Sequence, residues 1–185
     1  MSEFSSFYLQ VNIKKEDLQK VLSEKTRNIE DYSDWKEWFS AKQRIYGDPA
    51  KFLENYGYRF ADTINNEIKL QTEHAVYHQE KQLLILDNIN IGESFEVFMQ
   101  YLIVFRIFGE YAIPKSENNF MVIYPYWWGD REKVNEFADA YIEFNDQKSF
   151  LKDDLKQQNM EIATNYFNEH AEEFAQEFYD KYGSF

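Results

Sequence analysis

The chain has 185 residues, of which 44% are hydrophobic and 19% aromatic, and this apolar content excludes a disordered protein. Thirty-three acidic residues against twenty basic ones give a formal net charge of −13, which argues against direct binding to DNA or RNA, because nucleic-acid affinity depends on lysine and arginine displacing counterions from phosphates. The absence of cysteine from the sequence excludes disulfides, thiolate metal sites and a cysteine nucleophile.

The N-terminal segment predicts a strand and then a helix. The first ten residues lack the basic start and apolar run of a signal peptide, so we expect a cytoplasmic protein. Apolar and polar side chains alternate over residues 7–13, which is typical of a half-buried strand. Residues 14–25 then have helical spacing, with Leu18, Val21 and Leu22 on one side and acidic side chains in the first turn.

Capping signals mark two further helices. Asp34 is followed three residues later by Glu37, the spacing of a capping box, and this pattern predicts a helix that ends at Gly47. Pro49 suits the first position of a second helix, because its backbone angle is already helical there, and Gly57 can end that helix.

Residues 58–88 contain one ambiguous segment and one predicted hairpin. Between residues 58 and 72, helical spacing competes with a strand pattern that begins near Ile68, and we favour the helix. Residues 75–79 and 83–88 are predicted to form two strands that a turn near Glu80 and Lys81 connects. The turn lacks the Asn-Gly or Asp-Gly pair that favours tight hairpins. The second strand has a continuous apolar run, as in a strand covered on both faces.

Residues 94–113 are the most apolar stretch and predict a buried central helix. Fourteen of these twenty side chains are apolar or aromatic, and a helix that is apolar on nearly all sides is buried. A membrane span is the alternative. Glu96, Arg106 and Glu110 argue against it, because charged side chains are rare within a spanning helix. We therefore expect no membrane partner.

The last third of the chain predicts a strand and two helices. Residues 120–124 are an apolar run whose far end Pro125 restricts to a sheet edge or a strand terminus. Asp130 can cap a helix on which apolar residues between 134 and 142 share one face. Apolar residues recur mostly every four positions over 149–182, which predicts a long C-terminal helix. A repeat of four drifts around a helix, so this helix changes neighbours, bends or breaks along its length.

These elements predict one α+β domain over residues 1–185. We expect a sheet of roughly four strands, comprising the N-terminal strand, the hairpin and residues 120–126. The sheet would pack against the buried central helix, with additional helices around it and the long C-terminal helix outside.

The sequence contains few candidates for catalysis or cofactor binding. Its six glycines are too far apart for a phosphate-binding loop or a dinucleotide fingerprint, and it has no Gly-x-Ser-x-Gly motif. His74 and His78 lie four positions apart, but in a strand that separation is about 13 Å, too far to share a metal ion. His170 is a candidate for proton transfer, although we favour a half-buried, hydrogen-bonded side chain. We therefore expect no cofactor, no metal and a non-enzymatic function.

An aromatic cluster is the first candidate for binding. Aromatic side chains with polar tips bury a large area at low entropy cost, so they are common at interfaces and in ligand clefts. Such a cluster can bind a small molecule or a partner protein, while the ordinary interpretation is that it seals the edge of the core. Its members are Tyr124, Tyr126, Trp127 and Trp128.

The outer face of the predicted C-terminal helix is the second candidate. A run of acidic side chains usually marks a solvated face, and binding of a basic protein is the alternative. Only eight basic residues against eighteen acidic ones follow Gly92, so the negative charge is concentrated in this half. The residues that share this face are Glu169, Glu172, Glu173, Gln176 and Asp180, with Glu177 at its margin.

In overall character the chain is similar to the bacterial immunity proteins that neutralise secreted toxins, since it is small, acidic, aromatic-rich and free of cysteine. No sequence motif carries this likeness. It implies a non-enzymatic protein-binding module, an inhibitor or immunity-type protein with a basic partner. The alternative is a small-molecule-binding protein or enzyme with an aromatic pocket near Tyr126 to Trp128. A nucleic-acid mimic is a third hypothesis. The sequence leaves the oligomeric state open.

Overall fold

The structure is a computed structural model, and it describes residues 5–24, 27, 31–46, 75–88, 91, 95–124 and 140–183. These residues form a mixed α+β fold, which confirms the predicted class. The strands are β1 (Ser6–Asn12), β2 (Ala75–His78), β3 (Leu83–Asn88), β4 (Phe120–Tyr124), β5 (Ala140–Asn145) and β6 (Lys148–Lys152). The helices are α1 (Lys15–Ser23), α2 (Trp35–Tyr46), α3 (Phe95–Val104), α4 (Phe108–Tyr111), α5 (Gln157–Glu169) and α6 (Ala171–Tyr182), and a 3₁₀ turn (Phe105–Ile107) joins α3 to α4.

The six strands form one antiparallel sheet in the order β2-β3-β1-β4-β5-β6. β1 lies inside the sheet, where Leu9 is opposite Leu86 of β3 on one side and Met121 of β4 on the other. The predicted hairpin of β2 and β3 is confirmed, as are the strands at β1 and β4. The prediction that β1 is half-buried is wrong, because both of its faces are covered. The prediction of roughly four strands is wrong because β5 and β6 extend the sheet beyond β4.

The helix predicted after Asp130 is wrong over residues 140–142, which belong to β5. Ile142 and Phe144 are buried on one face of the sheet, while Tyr141 is buried on the other. A strand covered on both faces is apolar at successive positions, and periodicity cannot then distinguish it from a helix. The turn to β6 uses Asp146 and Gln147 at φ 49° and 60°, a hairpin without the usual glycine.

The long C-terminal helix is also wrong in detail. Ser149, its predicted start, lies in β6, and the helical part is divided into α5 and α6 at His170. The backbone of His170 has φ −103° and ψ 9°, outside the regular helical range. The four-residue spacing of apolar positions allowed a change of neighbours, a bend or a break, and the break is what occurs.

The sheet is covered on both faces by helices. Phe7, Leu9 and Val11 point to a first layer that contains α1, α2, α3 and α4. Tyr8 and Val122 point to a second layer, which α5 and α6 form. β3 is also covered on both faces, as predicted. Leu84 and Leu86 belong to the first core, and Ile85 packs against the second.

The central helical segment, residues 95–111, is buried from Phe98 to Gly109 apart from the half-exposed Gln100, which confirms the predicted central helix. Within the described part of the chain, no helix combines the length and apolar character needed to cross a membrane. The helix predicted to begin at Asp34 starts at Trp35 and reaches Tyr46, next to Gly47. The helices predicted at residues 49–57 and 58–72 lie outside the described residues.

Gly109 brings α4 into direct backbone contact with β6. A methyl group on its Cα would lie 2.5 Å from the backbone nitrogen of Ser149 and 2.6 Å from the carbonyl oxygen of Lys148. Carbon atoms do not approach backbone atoms that closely without displacing them. Glycine is therefore required here by the packing of a helix on an edge strand.

Replacing Gly109 with alanine should lower the free energy of unfolding by about 1–3 kcal/mol, because the methyl group would overlap backbone that has no rotamer to change. The sign of this change is informative. Replacing glycine with alanine at an open helical position instead stabilises a helix by about 1 kcal/mol. Urea unfolding followed by circular dichroism measures the change. Gln19→Ala, on the exposed side of α1, is the control and should stay within about 0.5 kcal/mol. A higher midpoint for G109A would contradict the close contact.

Candidate functional site

The outer side of α6 presents an acidic face, which we define as Glu172, Glu173, Gln176, Tyr179 and Asp180. All five residues are exposed. At 100° per residue they occupy an arc of about 120°, and Phe174 lies on the opposite side, buried in the second core. Phe174 therefore fixes which side of α6 meets the sheet and which side meets solvent.

Local electrostatics suit the carboxylates of the acidic face. Glu172 and Glu173 lie in the first turn of α6, where the positive end of the helix dipole stabilises negative charge. The side-chain nitrogen of Gln176 donates a hydrogen bond to Oδ1 of Asp180 at 2.7 Å. Charge is thus displayed on an ordered helix rather than on a loop.

Tyr179 is the most exposed of the large hydrophobic residues that the structure describes, at 56%. Tyr179 was not among the residues predicted for this face, although its position beside Gln176 on the helical wheel indicates it. Tyrosine buries a large area with few rotatable bonds, which explains its enrichment among residues that dominate binding energy. Tyr179 lies at one margin of the acidic face, so an exposed aromatic ring and exposed carboxylates share one side of α6.

The other acidic residues predicted for this face are placed differently. Glu169 is exposed, but it ends α5 and is separated from the acidic face by the break at His170. Glu177 belongs to α6, and its side chain lies outside the described structure. The acidic face is therefore a property of α6, not of one long helix.

The predicted aromatic cluster is described only at Tyr124. This residue ends β4, is 2% exposed and packs with its ring centroid 6.0 Å from that of Phe167. It is a packing residue of the second core. Tyr126, Trp127 and Trp128 lie outside the described residues, so an aromatic pocket there stays a prediction.

A buried polar cluster lies between the sheet and α5. The hydroxyl of Tyr166 donates to Oδ2 of Asp87 at 2.7 Å, and Asp87 is only 3% exposed. The ring of Tyr8 lies 4.9 Å from that of Tyr166, and its hydroxyl donates to Oε1 of Gln10 at 2.9 Å. Burial raises the pKa of Tyr8 and Tyr166 well above 10, and the charge of Asp87 raises both further. Both hydroxyls are therefore hydrogen-bond donors at neutral pH.

His170 completes this cluster at the junction of α5 and α6. Its Nδ1–H donates to the carbonyl oxygen of Tyr166 at 2.8 Å, because a carbonyl can only accept, and its ring stacks on that of Tyr166 at 4.2 Å. It is half-buried and hydrogen-bonded, as the favoured interpretation predicted. Among the described residues, no three histidine, aspartate or glutamate side chains are placed to hold a metal ion. His78 is exposed in β2, and His74 lies outside the described residues.

Arg106 forms a second buried polar cluster, in the first layer. Only 1% of it is exposed. Its Nε donates to Oγ of Ser149 at 3.0 Å, and its Nη2 donates to the carbonyl oxygen of Ser149 and to Oδ2 of Asp34, each at 2.8 Å. The guanidinium carbon lies 4.0 Å from the ring centroid of Tyr32, a cation–π contact. The charge is thus balanced by one carboxylate and one aromatic ring.

Asp34 connects this cluster to the sheet edge. Its Oδ2 also accepts the backbone N–H of Leu151 in β6 at 2.7 Å. The capping-box pattern therefore located the start of α2, while the Asp34 carboxylate binds a strand and an arginine. Burial raises the pKa of Tyr32 well above 10. Two atoms of the cluster have no hydrogen-bond partner among the described residues, Tyr32 Oη and Arg106 Nη1, while Asp34 Oδ1 lies 2.8 Å from Nη2 of Arg106.

Comparison of the chain with protein families, with curated proteins and with solved structures finds no match. The function must therefore be inferred from the residues themselves.

Removing either member of the ion pair between Arg106 and Asp34 should lower the free energy of unfolding. Asp34→Ala leaves a buried guanidinium without its carboxylate, and we expect a loss of about 3 kcal/mol in the free energy of unfolding. The double variant with Arg106→Met should lose less than the sum of the two single variants, because no unpaired charge then stays buried. A urea double-mutant cycle measures this coupling. Strict additivity would show that the pair does not act as a unit.

The buried tyrosines predict a loss of stability in alkali. Tyr8, Tyr32 and Tyr166 have pKa values raised above 10 by burial, so the folded protein keeps protons that the unfolded chain releases. The contribution of these tyrosines to stability is therefore fully present below about pH 10 and is lost as the pH rises from there towards the folded-state pKa. Tyrosinate absorbance from these residues should appear together with loss of circular dichroism. Tyr166→Phe should reduce the alkaline loss, whereas Tyr179→Phe should not. Full tyrosine ionisation without unfolding would contradict the prediction.

Proposed function

We propose that this protein is a non-enzymatic protein-binding module, an inhibitor of the immunity type, whose acidic face binds a basic partner protein. The observation that supports the proposal most directly is that the exposed ring of Tyr179 lies on the same side of α6 as three exposed carboxylates. Large exposed aromatic residues on ordered helices commonly supply binding energy, and a charged rim supplies specificity.

The net charge of the chain also supports binding of a basic partner protein. A formal net charge of −13 produces a negative potential that accelerates encounter with a positively charged surface. Such steering raises association rates more than it strengthens the final contacts, and it weakens as salt screens the charges. An inhibitor must reach its target quickly, so this property suits an immunity-type role.

Aromatic contacts between α5 and α6 favour a rigid binding surface on α6. Phe174 packs at 5.9 Å from Phe167 of α5, and His170 lies 5.9 Å from Phe174, so three rings hold the start of α6 against α5. A surface that is ordered before binding loses less conformational entropy when the partner docks.

The proposal is tested first by affinity capture of the tagged protein from a lysate of its source organism, washed at low and at high salt, with mass spectrometry of what is bound. We expect a stoichiometric basic protein that is released at high salt. Purification of that protein then allows association rates to be measured as a function of ionic strength.

Charge reversal identifies the surface. Glu172→Lys, Glu173→Lys and Asp180→Lys together should lower the association rate at least about tenfold, since close rim charges govern encounter. The matched control is Glu16→Lys, Glu37→Lys and Glu80→Lys, which changes the net charge equally at exposed sites and also removes first-turn acids. Tyr179→Ala should instead raise the dissociation rate. Equal effects of the two triple variants would rule out the acidic face as the binding surface.

A further inference from the structure

His170 is the single residue between α5 and α6, and it lies directly before the acidic face. It caps the end of α5 and the start of α6, so the ends of both helices meet at its backbone. Its backbone N–H donates to the carbonyl oxygen of Tyr166 at 3.2 Å, and its own carbonyl oxygen accepts the backbone N–H of Phe174 at 3.0 Å. A change of charge at this residue therefore acts on both helices.

The imidazole ring of His170 is held in one orientation. Its Nδ1–H donates to the carbonyl oxygen of Tyr166 at 2.8 Å, its ring stacks on that of Tyr166 at 4.2 Å, and the ring of Phe174 lies 5.9 Å away. Nε2 has no hydrogen-bond partner among the described residues, and it is not enclosed from solvent. Nε2 can therefore take up a proton while the bond at Nδ1 stays in place.

The contacts of the ring accommodate a positive charge. Protonation makes the bond from Nδ1 to the Tyr166 carbonyl charge-assisted, and such bonds are stronger than neutral ones. Tyr166 presents the face of its ring to the imidazole, which suits a cation. The C-terminal end of α5 also favours positive charge, whereas the N-terminal end of α6 opposes it. The imidazolium therefore fits this junction, and protonation changes its charge without requiring a change of fold.

His170 is the one histidine among the groups that meet at this junction. Burial raises the pKa of Tyr8 and Tyr166 well above 10, so neither loses a proton near neutral pH. Histidine is the side chain whose charge ordinarily changes between about pH 5 and pH 8. The charged and titratable side chains on the elements around His170 are Tyr166 and Glu169 of α5, Glu172 and Glu173 of α6, Asp87 of β3 and Tyr8 of β1.

The charge of His170 acts on the first turn of α6. Glu173 lies three positions after His170, and residues three apart are neighbours on a helix surface. The charge of Glu173 also raises the pKa of Tyr166, which places its carboxylate within electrostatic range of the residue on which His170 stacks. A positive charge on His170 therefore offsets part of the negative charge of Glu172 and Glu173.

We propose that His170 makes binding by the acidic face pH-dependent, so that a basic partner binds more tightly when the imidazole is neutral than when it is charged. This inference rests on the proposed function and adds a form of control to it. The imidazolium lowers the negative potential that attracts a basic partner. At an ionic strength of about 0.1 M, the Debye length of about 10 Å restricts this effect to nearby charges.

A basic peptide of constant charge tests the proposal. The probe is deca-L-lysine with an acetylated N-terminus and an amidated C-terminus, and its side chains stay charged because lysine ordinarily titrates near about pH 10.4. Isothermal titration calorimetry of the full chain at about pH 8 and about pH 5.5, at constant ionic strength, measures Kd across the histidine range. We expect Kd to be about threefold larger at the lower pH.

Variants assign the pH dependence to one side chain. His170→Asn keeps a donor near the position of Nδ1 and cannot be charged, so it should match the wild type at the higher pH and not weaken at the lower. His170→Lys is charged at both and should bind about threefold more weakly than the wild type at the higher pH. The matched control, His74→Asn with His78→Asn, removes the other two histidines and should keep the pH dependence.

The outcomes separate this inference from the function on which it rests. Absence of decalysine binding at the higher pH would contradict a basic partner for the acidic face, and the pH dependence would fall with it. Binding whose pH dependence is unchanged in H170N, or is lost in the H74N/H78N control, would overturn only the role of His170. A difference between H170N and the wild type at the higher pH would also overturn it, since it would show a structural effect instead.

Discussion

The buried guanidinium of Arg106 is the interaction on which the edge of this sheet depends. Edge strands present unpaired backbone groups that invite aggregation, and proteins cover them. Here the guanidinium of Arg106 donates to the carbonyl oxygen of Ser149, and the carboxylate of Asp34 accepts the N–H of Leu151. The indole of Trp38 donates to the carbonyl oxygen of Lys152 at 3.3 Å. Three side chains from the first layer therefore bind backbone groups of β6. The absence of a side chain at Gly109 allows the central helical segment to come close enough for this arrangement.

The two faces of the sheet differ in the side chains that cover them. The first core is large and dominated by aliphatic and phenylalanine side chains from the sheet and from α1, α2, α3 and α4. The second core contains tyrosines whose hydroxyls reach Gln10 and Asp87, so polar atoms occur within the packing of α5 on the sheet. The acidic face lies on this second layer, on α6. In the first layer the buried charge of Arg106 is paired with Asp34 and serves stability.

The proposed binding and its proposed pH dependence use electrostatics over different distances. The acidic face acts through the summed charge of exposed carboxylates, which reaches a Debye length into solvent and falls with salt. His170 acts on the first turn of α6 at short range, where half-burial reduces screening. α5 supports both, since Phe167 packs against Phe174 of α6 and the carbonyl oxygen of Tyr166 holds the imidazole ring. Both proposals therefore depend on the junction of α5 and α6.

The sequence by itself determined the α+β class, the strands β1 and β4, the β2–β3 hairpin, the buried central helix and the boundaries of α2, because each depends on local periodicity or a capping residue. It also determined that acidic side chains would lie opposite Phe174 on the last helix. Only the tertiary structure decided that residues 140–152 form a hairpin, since a strand buried on both faces has no period-two signal. The sequence also could not show the roles of Arg106 and Asp34, because each depends on residues brought from distant parts of the chain, and contacts between distant segments leave no local pattern.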